Sequence, residues 1–292
     1  MKNLFTPFLL FILAFITSCT AQKNAVQTPE LEKTLLWEVS GNGLEKPSYL
    51  FGTFHMMCKD KFMIKDKVQN ALAKTEQTVL EINFTDMSQL ADMQKMMIAD
   101  KKLSERMTPE ETERFKAGLA KLGMKFEDVD QFAPMALYST LMMKYFECPA
   151  QDLKSLDMEL MQATLAKGKS IDGLETIKKQ IEVFEKYLTI DELIKFVEEF
   201  DKGKALMQVM LNDYLAEDIN KVSAIMHSEE HMSKEQQEIM LDGRNIDWLT
   251  KMPEMMKTKS TFFAVGAGHL PGDKGVIKLL RDKGYTVKPI LN

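Results

Sequence analysis

The chain has 292 residues, 45% apolar and 28% charged, a balance that excludes a disordered chain and suits one large or two modest domains. At this length roughly 75% of the unfolded chain's surface can be buried, so a core forms without staples. The net charge is −5 with no run of five or more basic residues, which excludes nucleic acid as a partner. Met is the outlying count, at 23, and reads as a soft, adaptable core.

Residues 1–18 read as a signal peptide. Lys2 supplies the positive start, and Leu4 to Thr17 is an almost wholly apolar run, shorter than the ~20 residues that span a bilayer. The run ends in Ile16-Thr17-Ser18-Cys19, an aliphatic residue, two small ones and a Cys. That resembles the bacterial lipoprotein processing box, which implies cleavage before Cys19 and a diacylglycerol on its thiol. More than one acyl chain anchors a protein stably. A plain signal peptide with an incidental Cys is the alternative. On the first reading the protein is exported and lipid-anchored to a bacterial membrane, facing the periplasm. Residues 19–30 then form a tether, polar and unpatterned from Ala21 to Pro29, and 31–292 the folded domain.

Leu35 to Val39 and Ser48 to Phe51 flank Gly41-Asn42-Gly43, a turn signal, and read as a β-hairpin. Cys58 and Cys148 make an even pair in an exported chain, where disulfides persist, so a bridge is expected. Two free thiols, or Cys58 as a metal ligand three residues after His55, are the alternatives. Thr78 to Phe84 alternates, is β-branched and reads as a strand. Apolar spacing of the helical kind recurs near 64–76, 87–99, 109–121, 134–146, 153–167, 191–201, 203–227 and 234–256. Thr108-Pro109-Glu110-Glu111 has the order of an N-cap, a first-turn Pro and a capping-box Glu, and Ser233 with Gln236 repeats the box. Phe262 to Val265 and Tyr285 to Leu291 read as strands around a helix at 275–283, carried by Val276, Leu279 and Leu280. A strand–helix–strand unit implies a partly parallel sheet. The expected fold is α/β (α+β): a mixed, partly parallel sheet with flanking helices and a large helical insertion.

Two of the four histidines share a context. Tyr49-Leu50-Phe51-Gly52-Thr53-Phe54-His55 is an apolar run followed by G-x-x-H, and Phe262-Phe263-Ala264-Val265-Gly266-Ala267-Gly268-His269 repeats it. Each His would sit just beyond a strand's carboxyl end, the rim at which open α/β sheets bind ligands. Imidazole is both a common metal ligand and the usual base near neutral pH. Glu81 lies inside an apolar strand, where a carboxylate is costly unless paired or metal-bound; a place on the strand's solvent face is the alternative. Glu38, Asp157 and Glu175 are acidic residues beside apolar ones, candidates to orient such a site. Arg244 and Asn245 offer a donor fork and an amide, suited to a substrate carboxylate or an oxyanion, though Arg244 also suits a structural ion pair. His227-Ser228-Glu229-Glu230-His231 fits the H-x-x-E-H zinc spacing, but its charged surroundings read as a solvated helix end.

The chain resembles the TraB/GumN family, which includes the Tiki-type metalloproteases. The likeness is carried by Leu36-Trp37-Glu38-Val39, the first G-x-x-H run, Val79-Leu80-Glu81 and Gly173-Leu174-Glu175-Thr176 with Gln180. Arg244-Asn245 with Trp248 and the run from Phe263 through Gly272 to Val287 complete it. The resemblance implies relatives among erythromycin esterases and a haem-binding lipoprotein fold, and a metal-dependent hydrolase site of His55, Glu81 and His269. Zn, Mn or Co would suit the donors, and a peptide or small molecule would be the substrate, held by Arg244 and Asn245. The alternative is a non-catalytic haem- or peptide-binding lipoprotein, for which Tyr49, Tyr138 and Tyr145 are the loose axial candidates.

Overall fold

β1 (Leu36–Ser40) and β2 (Ser48–Thr53) form the expected hairpin, with Leu36 opposite Phe51. Gly41, Asn42 and Gly43 between them all take positive φ, the conformation for which that tripeptide is suited. The computed structural model to which these elements belong describes residues 30–291; the expected signal peptide, Cys19 and the expected tether up to residue 29 lie outside the described residues.

A two-residue strand, β3 (Met57–Cys58), precedes α1 (Asp66–Lys74) and β4 (Gln77–Ile82). The helical stretch follows: α2 (Leu90–Met97), α3 (Pro109–Lys121), α4 (Phe126–Val129) and α5 (Pro134–Met143). Thr108 caps α3 in the expected box with Glu111. β5 (Leu153–Lys154) pairs with β3, close to the Cys58–Cys148 disulfide, whose Cα atoms are 5.9 Å apart. Then come α6 (Leu156–Leu165) and β6 (Ser170–Glu175). The patterning missed β6 because it is an edge strand whose first four residues are half-buried or exposed, which leaves little apolar signal.

The next run is α7 (Ile177–Tyr187), α8 (Ile190–Glu198), α9 (Phe200–Leu215) and α10 (Ile219–Met226). The single helix expected over 203–227 is two. Glu217 takes a positive φ and Asp218 caps the new helix, so local side-chain bonding wins over the continuous apolar spacing. α11 (Lys234–Gln237) passes through a π-helical turn, Glu238–Asp242, into α12 (Gly243–Thr258). β7 (Thr261–Gly266), α13 (Val276–Asp282) and β8 (Thr286–Pro289) close the chain.

The six long strands form one mixed sheet in the order β6-β4-β7-β2-β1-β8. β6, β4, β7 and β2 are parallel; β1 is antiparallel to both β2 and β8. The chain leaves β4 toward β6 and leaves β7 toward β8, in opposite directions along the sheet. The carboxyl ends of β4 and β7 therefore border a topological switch point, where parallel sheets open a crevice. One core cluster runs over the sheet, centred on Trp37, Leu50, Phe262 and Phe263, with Trp248 from α12. A second holds the helical stretch together through Phe115, Leu119, Leu137, Leu193 and Val197.

Candidate active site

Four parallel strands deliver side chains to one rim. β2 ends at Thr53, two residues before His55; Glu81 is the penultimate residue of β4; β6 ends in Glu175; and β7 ends at Gly266, from which a tight turn carries His269. α12 adds Arg244, Asn245 and Trp248 from its first turns, all buried. Residues four apart share a helix face, which places Arg244 against Trp248, its guanidinium 5.0 Å from the ring centre.

Arg244 is the hub. Its Nε and Nη2 donate to the two oxygens of Glu175 at 2.9 and 3.0 Å, a bidentate pair, and Nη2 also donates to Glu81 Oε2 at 2.6 Å. Nη1 donates to the Met240 carbonyl in the π-turn and lies 3.2 Å from His269 Nε2. All five guanidinium N–H groups thus have partners inside the protein. Glu175 accepts a further bond from Trp248 Nε1, and Glu81 takes the Gly266 N–H at 2.8 Å and the Gln180 amide at 3.3 Å. Burial alone would raise the Glu81 carboxyl. The Arg244 charge and the Gly266 N–H override it and hold the group well below the usual carboxylate range.

The two histidines are held alike and ionise oppositely. His269 donates from Nδ1 to Asn245 Oδ1 at 2.7 Å, while the Asn245 amide donates to the carbonyls of His269 and Lys274. The Nε2 lone pair is thereby aimed inward. Burial first, then the Arg244 charge, lowers this imidazole to about 3, so it is neutral. His55 donates from Nδ1 to Asp157 Oδ2 at 2.9 Å, and Asp157 Oδ1 takes the Thr53 hydroxyl at 3.0 Å. Desolvation by the surrounding protein pulls His55 down, but 64% of its side-chain surface faces solvent, which weakens that effect. The charge and hydrogen bond of Asp157 prevail and push the ring up to about 9.

The three central side chains meet where Gly266 has none. A β-carbon built there would lie 3.3 Å from Glu81 Oε1, 3.4 Å from His55 Nε2 and 3.4 Å from the His269 ring. Glu81 Oε1 is 3.8 Å from His269 Nε2. Gly52 does the reciprocal service: its missing side chain lets Ala267 and Leu270 approach β2, with contacts near 3.0 Å to a built β-carbon. Among the described residues no three His, Cys, Asp or Glu side chains are grouped as a metal ligand set.

His55, Glu81, His269, Asp157, Glu175, Arg244 and Asn245 are thus brought together. Arg244 and Asn245, expected to face substrate, are buried and bonded within the protein instead. Glu38 is not part of the cluster; it sits mid-β1 opposite Tyr49 and Lys288. His227 and His231 do not share a helix, because α10 ends at Met226 and a turn follows. His231 is exposed as expected, whereas His227 is half-buried over Gly272, near enough to help depress His269. Tyr49 and Tyr145 are buried, and Tyr138 packs among Phe184, Tyr187 and Phe196, so none is an open axial ligand. Gln180 and Trp248 were visible only as family likeness. Thr53 and the steric role of Gly266 were hidden inside the G-x-x-H runs, where the spacing itself was their signal.

A comparison with family models matches residues 35–289 to the TraB/PrgY/gumN family. Comparisons with curated proteins and with solved structures each returned no match.

Proposed function

The chain belongs to the TraB/PrgY/gumN family, and on that footing we propose that it is a metal-dependent hydrolase of peptidase type, tethered to a membrane through a lipid on Cys19. The observation that carries the reading is the meeting of His55, Glu81 and His269 around the bare α-carbon of Gly266.

The donors suit a divalent ion. Each imidazole spends Nδ1 on an oxygen acceptor, Asp157 or Asn245, as metal-ligating histidines do. His55 Nε2 faces the shared point, and His269 Nε2, 3.2 Å from Arg244 Nη1, would bind an ion by exchanging that contact for it. Glu81, Asp157 and Glu175 bring negative charge that Arg244 only partly balances. Two nitrogens and an oxygen leave Zn, Mn and Co open. An ion held there supplies Lewis acidity toward a carbonyl oxygen and makes water more acidic.

The remaining chemistry belongs to the chain. Arg244 occupies Glu81 Oε2 and leaves Oε1 toward the centre. Asn245 fixes His269 in its neutral tautomer. Asp157 keeps the His55 Nδ1 proton in place while Nε2 loses or gains its own. Solvent and substrate reach the centre past His55, whose ring is open where Glu81, His269 and Arg244 are covered. Arg244 Nη1, 3.2 Å from His269 Nε2, is the N–H that would turn to an oxyanion by giving up that contact.

The test is metal analysis of the full-length protein beside His55→Ala and His269→Ala, with peptide-library cleavage under added Zn, Mn or Co. The expected result is about one ion per chain, lost with either histidine together with cleavage. A chain that takes up no ion overturns the metal reading. An ion without cleavage of any peptide leaves a binding protein.

A further inference from the structure

Five of the twelve large apolar side chains exposed among the described residues lie on one segment. Phe84 is 40% exposed, Met87 67%, Leu90 49%, Met97 58% and Ile98 52%, all between residues 84 and 98. α2 within it has no buried residue, although Leu90, Ala91, Met93, Met96 and Met97 are apolar. An isolated exposed apolar residue means little, but a run of this kind marks a surface that something covers.

Its place is the rim of the candidate site. Phe84 comes two residues after β4 ends and three after Glu81. Gln89 accepts the Ile177 N–H at 2.7 Å, just beyond the end of β6. The far end is pinned as well: Met97 carbonyl accepts from Ala133 N, and Ile98 bridges to Phe132. Met158, 37% exposed, is a further exposed apolar residue, next to Asp157.

The chain enters the fold at this rim too. Leu36 lies opposite Phe51, and the Leu35 carbonyl accepts from Gly52 N, so β1 begins at the carboxyl end of β2. Leu31 is held by Asn220 through bonds of 2.9 and 2.7 Å. Cys19 lies twelve residues before Leu31, a stretch that reaches about 40 Å at most. A lipid on Cys19 would therefore keep Leu31 within ~40 Å of the bilayer, and the hairpin turn after Ser40 lies at the far end of β1 from this entry.

Resting on the reading that Cys19 is lipidated, we propose that the Phe84–Ile98 ridge seats on the bilayer surface and turns the opening beside His55 toward substrates at the membrane face. Around the ridge Asp86, Asp92 and Asp100 offset Lys95, Lys101 and Lys102, so the contact is apolar and indifferent to salt. Among the described residues no helix is long and apolar enough to cross a membrane.

The test uses the full-length lipidated chain in phosphatidylethanolamine–phosphatidylglycerol vesicles. Met87→Cys, Met97→Cys and, as a control in the hairpin turn at the opposite end of the strands, Glu45→Cys are each labelled with an environment-sensitive fluorophore. The native cysteines are Cys19 and the Cys58–Cys148 pair, so the new thiol alone is labelled once Cys19 is acylated. The expected result is co-flotation with vesicles and about twofold quenching by brominated acyl chains at positions 87 and 97, absent at 45 and unchanged in high salt. Flotation without quenching at 87 and 97 overturns the seating and leaves the lipid anchor standing. A chain that does not float overturns both. A fluorescence change that follows protein density and not brominated lipid overturns the proposal in favour of a second copy of the chain.

Discussion

Arg244 converts three acidic or basic neighbours into one rigid unit. A buried guanidinium with two carboxylates costs desolvation, so its benefit lies in geometry more than in net stability. It fixes Glu81 and Glu175, and through them the ends of β4 and β6. Gly266 contributes by what it lacks. Its φ of −51° suits any residue, so Gly266→Ala is expected to fold with stability changed by no more than ~1 kcal/mol. The added methyl would stand 3.3–3.4 Å from Glu81, His55 and His269, and is expected to lower metal uptake and cleavage roughly tenfold or more. Thermal melts beside metal content check it; an active Gly266→Ala protein would mean that the reacting atoms lie elsewhere.

The helical stretch depends on a different kind of close fit. α3 crosses α8 at Gly118, where a built β-carbon would lie 2.3 Å from Val197 Cγ2 and 2.6 Å from its Cβ. Ala normally favours a helix over Gly by up to ~1 kcal/mol, and here the clash outweighs that gain. Gly118→Ala is expected to cost about 1–3 kcal/mol as overpacking, read from urea unfolding. The Gly118→Ala, Val197→Ala double variant should recover part of it, which two independent sites would not do. Because Gly118 and Val197 border the second core cluster, the His55–Glu81–His269 centre should keep its metal in both variants.

For the whole molecule the site sets opposite responses to acid and base. His269 is depressed to about 3, so its contribution is full above the unfolded value near 6.5 and is lost as pH falls toward 3. Glu81, also depressed, adds to the loss on the acid side. His55 is raised to about 9, so its contribution is full below 6.5 and is lost as pH rises through 9, discounted because the ring is open to solvent. Stability is expected to peak near pH 6.5–7 and to fall more steeply toward acid. Urea midpoints across pH and histidine NMR resonances check this. A His269 signal that titrates near 6.5 would show that water and protons reach it freely.

The hairpin, the central strands, most helices and the pairing of Cys58 with Cys148 were legible because local periodicity, turn residues and cysteine parity report them directly. So were the two histidines and Glu81, since a G-x-x-H after an apolar run and a carboxylate inside one stand out from their neighbours. What the chain could not state locally was order along the sheet: that β7 lies between β4 and β2, and that four carboxyl ends share one rim. That is decided by pairing between residues such as Leu80 and Ala264, far apart in sequence. The same packing moved Arg244 and Asn245 from open substrate contacts to buried supports and left Glu38 outside. A side chain's neighbours across a fold depend on tertiary distance, which no spacing along the chain records.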